Sequence, residues 1–178
     1  MSPNEQTALE GLAGRALLVD EVAALGPLVQ ARNDVAIAEL LSVARVAIQP
    51  RTITARGVRA ALPIPTAVPF LALLREAATA ASVPQWMGDV LTAAGVPTDD
   101  HPAYLDTFAC AYAWLQQEGG IDLGAATTRA MLDLIAASDP AKFGATVTTL
   151  KALAEHPDPI PFDRVSAALN KAQGLMTL

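Results

Sequence analysis

Prolines, glycines and helix-capping residues divide this chain into short segments, and their spacing restricts its fold more than any other feature. The chain has 13 prolines and 11 glycines in 178 residues. Between them, apolar residues recur at helical spacing, as at Ile37, Leu40, Leu41 and Ala44. Because proline and glycine interrupt helices, each segment has room only for a short one. The spacing therefore predicts many short helices.

The apolar residues are of types that favour helices. Hydrophobic residues make up 52% of the chain, many of them alanine, whereas only 4% of residues are aromatic. A sheet would need more β-branched and aromatic side chains. At this length the chain can bury a core without disulfides or a structural metal. We predict an all-α fold, a compact bundle of about eight short helices around one core with at most minimal β structure.

Capping residues and stops give the expected boundaries. We expect Ser2 to cap a helix that runs to about Leu18, and Asn33 and Thr54 to cap two later helices. Further helices are expected over residues 20–30, 67–81, 85–94, 103–117, 125–137, 140–155 and 163–173. Residues 47–53 and 121–123 are expected to be extended, and Pro63-Ile64-Pro65 to form a stiff link before Thr66 caps the next helix. One domain over residues 1–178 is expected, with sub-lobes at 1–62 and 63–178 as an alternative.

A short pattern occurs twice in the chain. Ile53-x4-Val58-x-Ala-Ala-Leu62 recurs with the same spacing from Ile160 to Leu169. The pattern describes an extended isoleucine that enters the core just before a short helix. Either a duplication or a chance match in an alanine-rich chain would explain the recurrence of the pattern.

The charges are segregated along the chain, although the net charge is only −6. Residues 40–75 carry five arginines and no acid, whereas residues 76–128 carry seven acids and no lysine or arginine. The basic segment, Arg45–Leu62, contains four of the nine arginines. Such blocks either pair inside the fold or present opposite charges to neighbouring molecules.

The four arginines of the basic segment are candidate partner-binding residues: Arg45, Arg51, Arg56 and Arg59. Arginine pairs readily with carboxylates in a bidentate geometry, which favours contact with acidic groups of this chain or of another protein. Phosphates of a nucleic acid are the alternative partner. The acidic net charge and the lack of interleaved aromatic residues argue against that alternative.

The two tryptophans and the cysteine are assigned from their neighbours. Trp86, beside Pro84 and at a helix start, is a candidate interface anchor, with core packing as the alternative. Trp114 and Cys110 lie in an apolar helical segment, so we expect both in the core.

No motif predicts catalysis, a metal site or a cofactor. His101 and His156 are isolated and precede prolines, which favours solvated loops over a metal site. The Asp99-Asp100-His101 run is likewise expected to lie in a solvated loop. No serine lies in a Gly-x-Ser-x-Gly motif, and no glycine-rich phosphate loop is present. We therefore predict no catalytic, metal or cofactor residues and no enzyme activity, with a small enzyme as a further alternative.

No segment predicts secretion or membrane insertion. The N-terminal residues lack the basic and apolar regions of a signal peptide. The longest strongly apolar uncharged run, Ala60–Leu74, is too short to span a bilayer and contains three prolines. We expect no membrane partner.

Several segments resemble small, poorly characterised proteins of tailed bacteriophages and prophages. Ala31–Arg45, ARNDVAIAELLSVAR, is similar to a run written RNDxxIAxxLSxGR in that family. The resemblance extends in patches over about half of the chain, through residues 52–62, 121–129, 150–155 and 165–170. Ala44 stands where the family pattern has glycine.

The resemblance implies a non-enzymatic virion or assembly protein that acts through protein–protein contacts. Its partners would be other virion or assembly proteins or further copies of itself, in the virion or the host bacterial cytoplasm. The alternative is a nucleic-acid-binding or regulatory phage protein that uses the arginines of the basic segment on phosphates.

Overall fold

The computed structural model describes residues 1–175 and confirms the all-α class. The helices in this part of the chain are α1 (Pro3–Ala13), α2 (Val19–Gln30), α3 (Asp34–Ser42), α4 (Ala55–Ala61), α5 (Ile64–Thr79), α6 (Gln85–Ala93), α7 (His101–Leu115), α8 (Ala126–Ser138), α9 (Pro140–Ala152) and α10 (Phe162–Ala172). Four short strands accompany them, β1 (Val46–Ile48), β2 (Thr52–Ile53), β3 (Ile121–Asp122) and β4 (Glu155–Pro157).

Local capping places most helix ends where the sequence predicts them. The Ser2 side chain accepts a backbone hydrogen bond at the start of α1, and the Glu5 carboxylate accepts one from the Ser2 N–H at 2.7 Å. The side chains of Asn33 and Thr54 cap α3 and α4 in the same way. Gly95, at φ 77°, follows the end of α6.

Three boundaries differ from the sequence-based expectation by three residues or more. α9 ends at Ala152 rather than near residue 155, which lies in β4. α1 ends at Ala13 because Gly14 adopts a left-handed conformation with φ 71°, so the helix does not continue towards residue 18. The expected stiff link at Pro63-Ile64-Pro65 opens α5 instead, and Thr66 lies within that helix rather than capping it. Proline fits a first helical turn because the N–H that it lacks would have no partner there.

The described residues cluster into two compact units. The first comprises Met1–Ala47 and the chain from Pro157 onwards, and the second comprises Ile48–His156. Each unit has its own hydrophobic cluster, where the sequence suggested one core. The first unit contains α1–α3 and α10, because α10 packs against α1 and α3. Residues 48–62 belong to the second unit because α4 packs against α5 and β2 pairs with β3.

The strands form two-stranded pairs. β1 lies beside β4, a pairing that the sequence did not predict, and the boundary between the units falls within both strands. β2 and β3 are antiparallel, with Ile53 opposite Ile121, and these extended segments were predicted. Gly120, at φ 66°, allows the close approach, because a Cβ there would lie 2.3 Å from the Ile53 carbonyl oxygen.

Each unit contains one copy of the repeated pattern. In the second unit, Ile53 is buried ahead of α4, which turns Val58 and Leu62 into the larger cluster. In the first unit, Ile160 is buried ahead of α10, whose Val165 and Leu169 join the smaller cluster. The pattern therefore encodes the same local arrangement twice.

Ala44 occupies a backbone conformation that suits glycine. Its φ is 59°, in the left-handed region, where a Cβ is strained. It lies between α3 and β1, at the position where the resembling pattern has glycine. Ala44 therefore stores strain that a glycine would remove.

We expect Ala44→Gly to raise the free energy of unfolding by about 1 kcal/mol because glycine relieves that strain. Ala60→Gly, at an exposed position within α4, is the matched control and should lower it by about 1 kcal/mol. Urea unfolding followed by circular dichroism measures both. A loss of stability in both variants would contradict the assigned strain.

Candidate functional site

Arg45 is a structural clamp of the first unit. Its Nη1 donates to the carbonyl oxygens of Leu12 at 3.1 Å and Ala13 at 2.9 Å, where α1 ends. Its Nη2 pairs with the Asp158 carboxylate at 2.6 Å. A guanidinium at a helix C-terminus satisfies unpaired carbonyls and is favoured by the helix dipole. Arg45 therefore has a structural role, which distinguishes it from the other arginines of the basic segment.

Arg51 is exposed, and only its backbone makes a polar contact with the acidic block. The Arg51 N–H donates to Oδ1 of Asp122 at 2.8 Å, and the same oxygen accepts the Gly124 N–H at 2.9 Å. This contact holds the backbone just before β2 against β3. Within residues 1–175 the Arg51 guanidinium forms no ion pair.

Arg56 and Arg59 lie on one exposed face of α4. They are three residues apart, and the buried Ala55 and Val58 occupy the opposite side of the helix. Burial of the apolar residues therefore turns both guanidinium groups towards solvent.

Arg59 borders two depressions in the surface of the second unit, which we call together the arginine cleft. One, of about 160 Å³, is lined by Arg59, Val68, Leu71, Ala72, Arg75 and Tyr112. The other, of about 430 Å³, is lined by Thr54, Ala55, Arg56, Arg59, Leu115, Gln116, Gln117 and Glu118. The cleft thus combines three arginines with apolar and amide side chains.

Sequence reasoning missed two residues of the arginine cleft. Arg75 lies sixteen residues beyond Arg59 on α5, and Tyr112 lies on α7. Packing of α4 and α7 against α5 brings them together. The count of basic residues between positions 40 and 75 included Arg75, but nothing local indicated which face of α5 it would occupy.

An exposed apolar stripe on α5 leads into the cleft. Ile64 and Val68 are 75% and 55% exposed, and Ala72 and Arg75 follow at helical spacing. Adjacent apolar and arginine side chains are typical of protein-binding surfaces.

The structure packs Trp86 against the larger cluster and leaves Trp114 exposed. Trp86 is half-buried against the larger cluster, with its ring 5.9 Å from that of Phe108 in an edge-on arrangement. Trp114 was expected in the core, which is wrong, because it is 53% exposed. Leu115, one residue later, takes the buried position, so the angular position on α7 outweighs side-chain size.

Cys110 and His101 also differ from the predictions. Cys110 is exposed on α7 rather than buried. His101 begins α7 and is buried rather than solvated, with Nε2 3.2 Å from the Val96 carbonyl oxygen. Asp99 and Asp100 beside it remain exposed. This backbone contact makes His101 part of the helix start, and it brings no acid into a catalytic arrangement.

The ion pairs among the described residues do not join the arginines of residues 40–75 to the acids of residues 76–128. They join Arg15 to Glu21, Arg45 to Asp158, Arg129 to Glu155 and Lys151 to Asp133. None uses an acid of residues 76–128, and none uses an arginine of the cleft. Internal pairing of the two blocks, one of the alternatives from the sequence, therefore does not occur within residues 1–175.

The described residues show no further recognised site. Among residues 1–175, no three or more histidine, cysteine, aspartate or glutamate side chains gather where a metal ion would need them. No helix in that range has the length and apolar character needed to cross a membrane. No protein-family model, curated protein or solved structure matches the chain.

We expect Arg45→Ala to lower the free energy of unfolding by about 2 kcal/mol, because the end of α1 loses its charged donor and Asp158 loses its partner. Arg51→Ala is the matched control and should change stability by less than about 0.5 kcal/mol. Chemical unfolding of both variants provides the measurement. Equal effects would contradict the clamp.

Proposed function

We propose that the protein is a non-enzymatic structural or assembly component of a tailed phage that works by protein–protein contact through the arginine cleft. The observation that carries the proposal is the exposed, unpaired state of Arg56, Arg59 and Arg75 beside an apolar stripe. No carboxylate of residues 1–175 forms an ion pair with them. The partner is therefore expected to supply acids and an apolar surface.

The cleft suits a protein partner better than a nucleic acid. Its walls are largely apolar or amide side chains, which are typical of contacts with another protein. Ile64 and Val68 would gain most from contact with apolar side chains. Tyr112 adds one aromatic ring, whereas binding of single strands relies on several rings for stacking.

The phage assignment is supported by the patchwise resemblance and by one backbone feature. The left-handed conformation at Ala44 is one that glycine adopts without strain, and glycine is the residue in the resembling pattern. Both observations concern the segment that leads from α3 into the basic segment.

We expect Arg56→Glu/Arg59→Glu to weaken binding of an acidic peptide at least about tenfold, because repulsion replaces two attractions. The probe is a fluorescent helical peptide with a leucine stripe flanked by glutamates, measured by anisotropy at about 150 mM salt. The control Arg164→Glu/Lys171→Glu makes the same change in net charge on exposed positions of α10 and should bind like wild type. Circular dichroism checks that helicity is retained.

The same titration with duplex DNA tests the nucleic-acid alternative. We expect no DNA binding at about 150 mM salt. DNA affinity that falls steeply with the logarithm of salt concentration, and that Arg56→Glu/Arg59→Glu abolishes, would favour the alternative. Unchanged peptide binding by that variant would remove the cleft from the proposal.

The particle assignment has a separate test. We expect mass spectrometry of gradient-purified phage particles, or of their assembly intermediates, to detect the chain at a constant ratio to the major capsid protein. Matched fractions from a deletion of its gene are the control. Absence from both particles and intermediates would contradict the structural role.

A further inference from the structure

We propose that the arginine cleft of one copy binds the exposed face of α7 on a second copy, so that copies associate head to tail. The inference rests on the proposed use of the cleft and names its partner. Two surfaces of the second unit carry the argument: the cleft with its apolar stripe, and the opposite side of α7. Neither surface finds among residues 1–175 the contacts that the other would provide.

The exposed face of α7 has the composition that the cleft requires. Asp106, Cys110 and Trp114 recur every four residues and are all exposed, so they share one side of the helix. Trp114 is the large aromatic side chain of this face, and tryptophan is the residue most enriched among binding hot spots. Asp106 supplies an acid that makes no ion pair among the described residues.

Charge complementarity extends beyond Asp106. The further exposed acids of residues 76–128 that do not line the cleft are Glu76, Asp89, Asp99 and Asp100, and none of them forms an ion pair within residues 1–175. A second copy therefore offers an unpaired acidic surface to the unpaired arginines of the first. At about 150 mM salt the screening length is about 8 Å, so local contacts outweigh repulsion between the net charges.

The two surfaces are distinct, which determines the kind of assembly. Tyr112 faces the cleft, whereas Trp114, two residues later on the same helix, lies on a different side of α7. A cleft on one copy and a different face on the next make a heterologous contact. Such contacts repeat, giving a ring if the rotation closes and a filament if it does not. Both surfaces lie in residues 48–156, so the contact needs only the second unit.

Two surface variants of the full chain test the contact. Arg59→Glu/Arg75→Glu disables the cleft and leaves α7 intact, whereas Asp106→Arg/Trp114→Ala disables the α7 face and leaves the cleft intact. All four side chains are exposed, so both variants should keep the wild-type circular dichroism and melting temperature.

Sedimentation velocity over a concentration series is the measurement. We expect wild type to exceed the mass of a dimer as concentration rises, and each variant alone to remain a monomer. An equimolar mixture of the two should form a 1:1 dimer and nothing larger, because only one functional cleft and one functional face remain per pair. The control Arg164→Glu/Lys171→Glu should assemble like wild type.

Cys110 gives a second measurement, because it lies between Asp106 and Trp114 on the proposed interface and is the chain's one cysteine. Maleimide labelling should slow as wild type assembles and stay fast in the cleft variant at every concentration. Labelling that is independent of assembly would overturn the assignment of this face.

Other outcomes also separate this inference from the proposed function. A wild-type chain that stays monomeric while the cleft still binds the acidic peptide overturns self-association and leaves the proposed function standing. A mixture that stays monomeric, or a cleft variant that assembles alone, overturns the head-to-tail contact. Failure of peptide binding alone, with assembly as described, counts against only the broader use of the cleft.

Discussion

Burial of Ile53 is the constraint on which the arginine cleft depends. Ile53 lies opposite Ile121 in the β2–β3 pair. The backbone of Ile53 lies so close to Gly120 that a side chain at position 120 would not fit. Thr54 caps α4 immediately afterwards. With the start and angular position of α4 set in this way, Val58 points into the larger cluster and the arginines of α4 point out. The basic surface is therefore a geometric consequence of core packing.

The same arrangement, a buried isoleucine ahead of a short helix, recurs in the first unit, where different polar groups hold it in place. Ile160 is buried ahead of α10, and its backbone N–H donates to the Ser42 hydroxyl at 2.8 Å. Arg45 ties the adjacent chain to the end of α1 through backbone carbonyls. In the second unit the corresponding support comes from Asp122, which accepts backbone N–H groups with its carboxylate. One apolar pattern thus serves both units, whereas the polar groups around it differ.

Features encoded by neighbouring residues could be predicted from the sequence. Caps such as Asn33 and Thr54 act within one helical turn, and alternation of buried and exposed positions on α4 depends on a few residues. The β1–β4 pair could not be predicted, because it joins segments more than a hundred residues apart and β4, Glu155–Pro157, has neither β-branched nor aromatic residues. Trp114 was misplaced because size favours burial, but helix phase decided its side.

The arginine cleft was predictable only in part for the same reason. Arg56 and Arg59 share a short helix, so their common face follows from spacing alone. Arg75 joins them only through the packing of α4 on α5, and Tyr112 only through the packing of α7 on α5. Such contacts depend on the angular position of whole helices, which no local motif reports. A charge count identified the basic region without indicating its shape.

The proposed contacts between molecules would account for the separation of charges. An exposed ion pair contributes only about 0–1 kcal/mol to folding, so the fold has little need to pair its surface arginines with its surface acids. In the proposed contact between copies, unpaired blocks of opposite sign would orient the encounter and disfavour wrong registers. Arg45 shows the contrast within one segment, since its guanidinium is held by carbonyls and Asp158 of its own unit. Arg56 and Arg59 have no such partner among residues 1–175, and the proposed contact with a second copy would supply one.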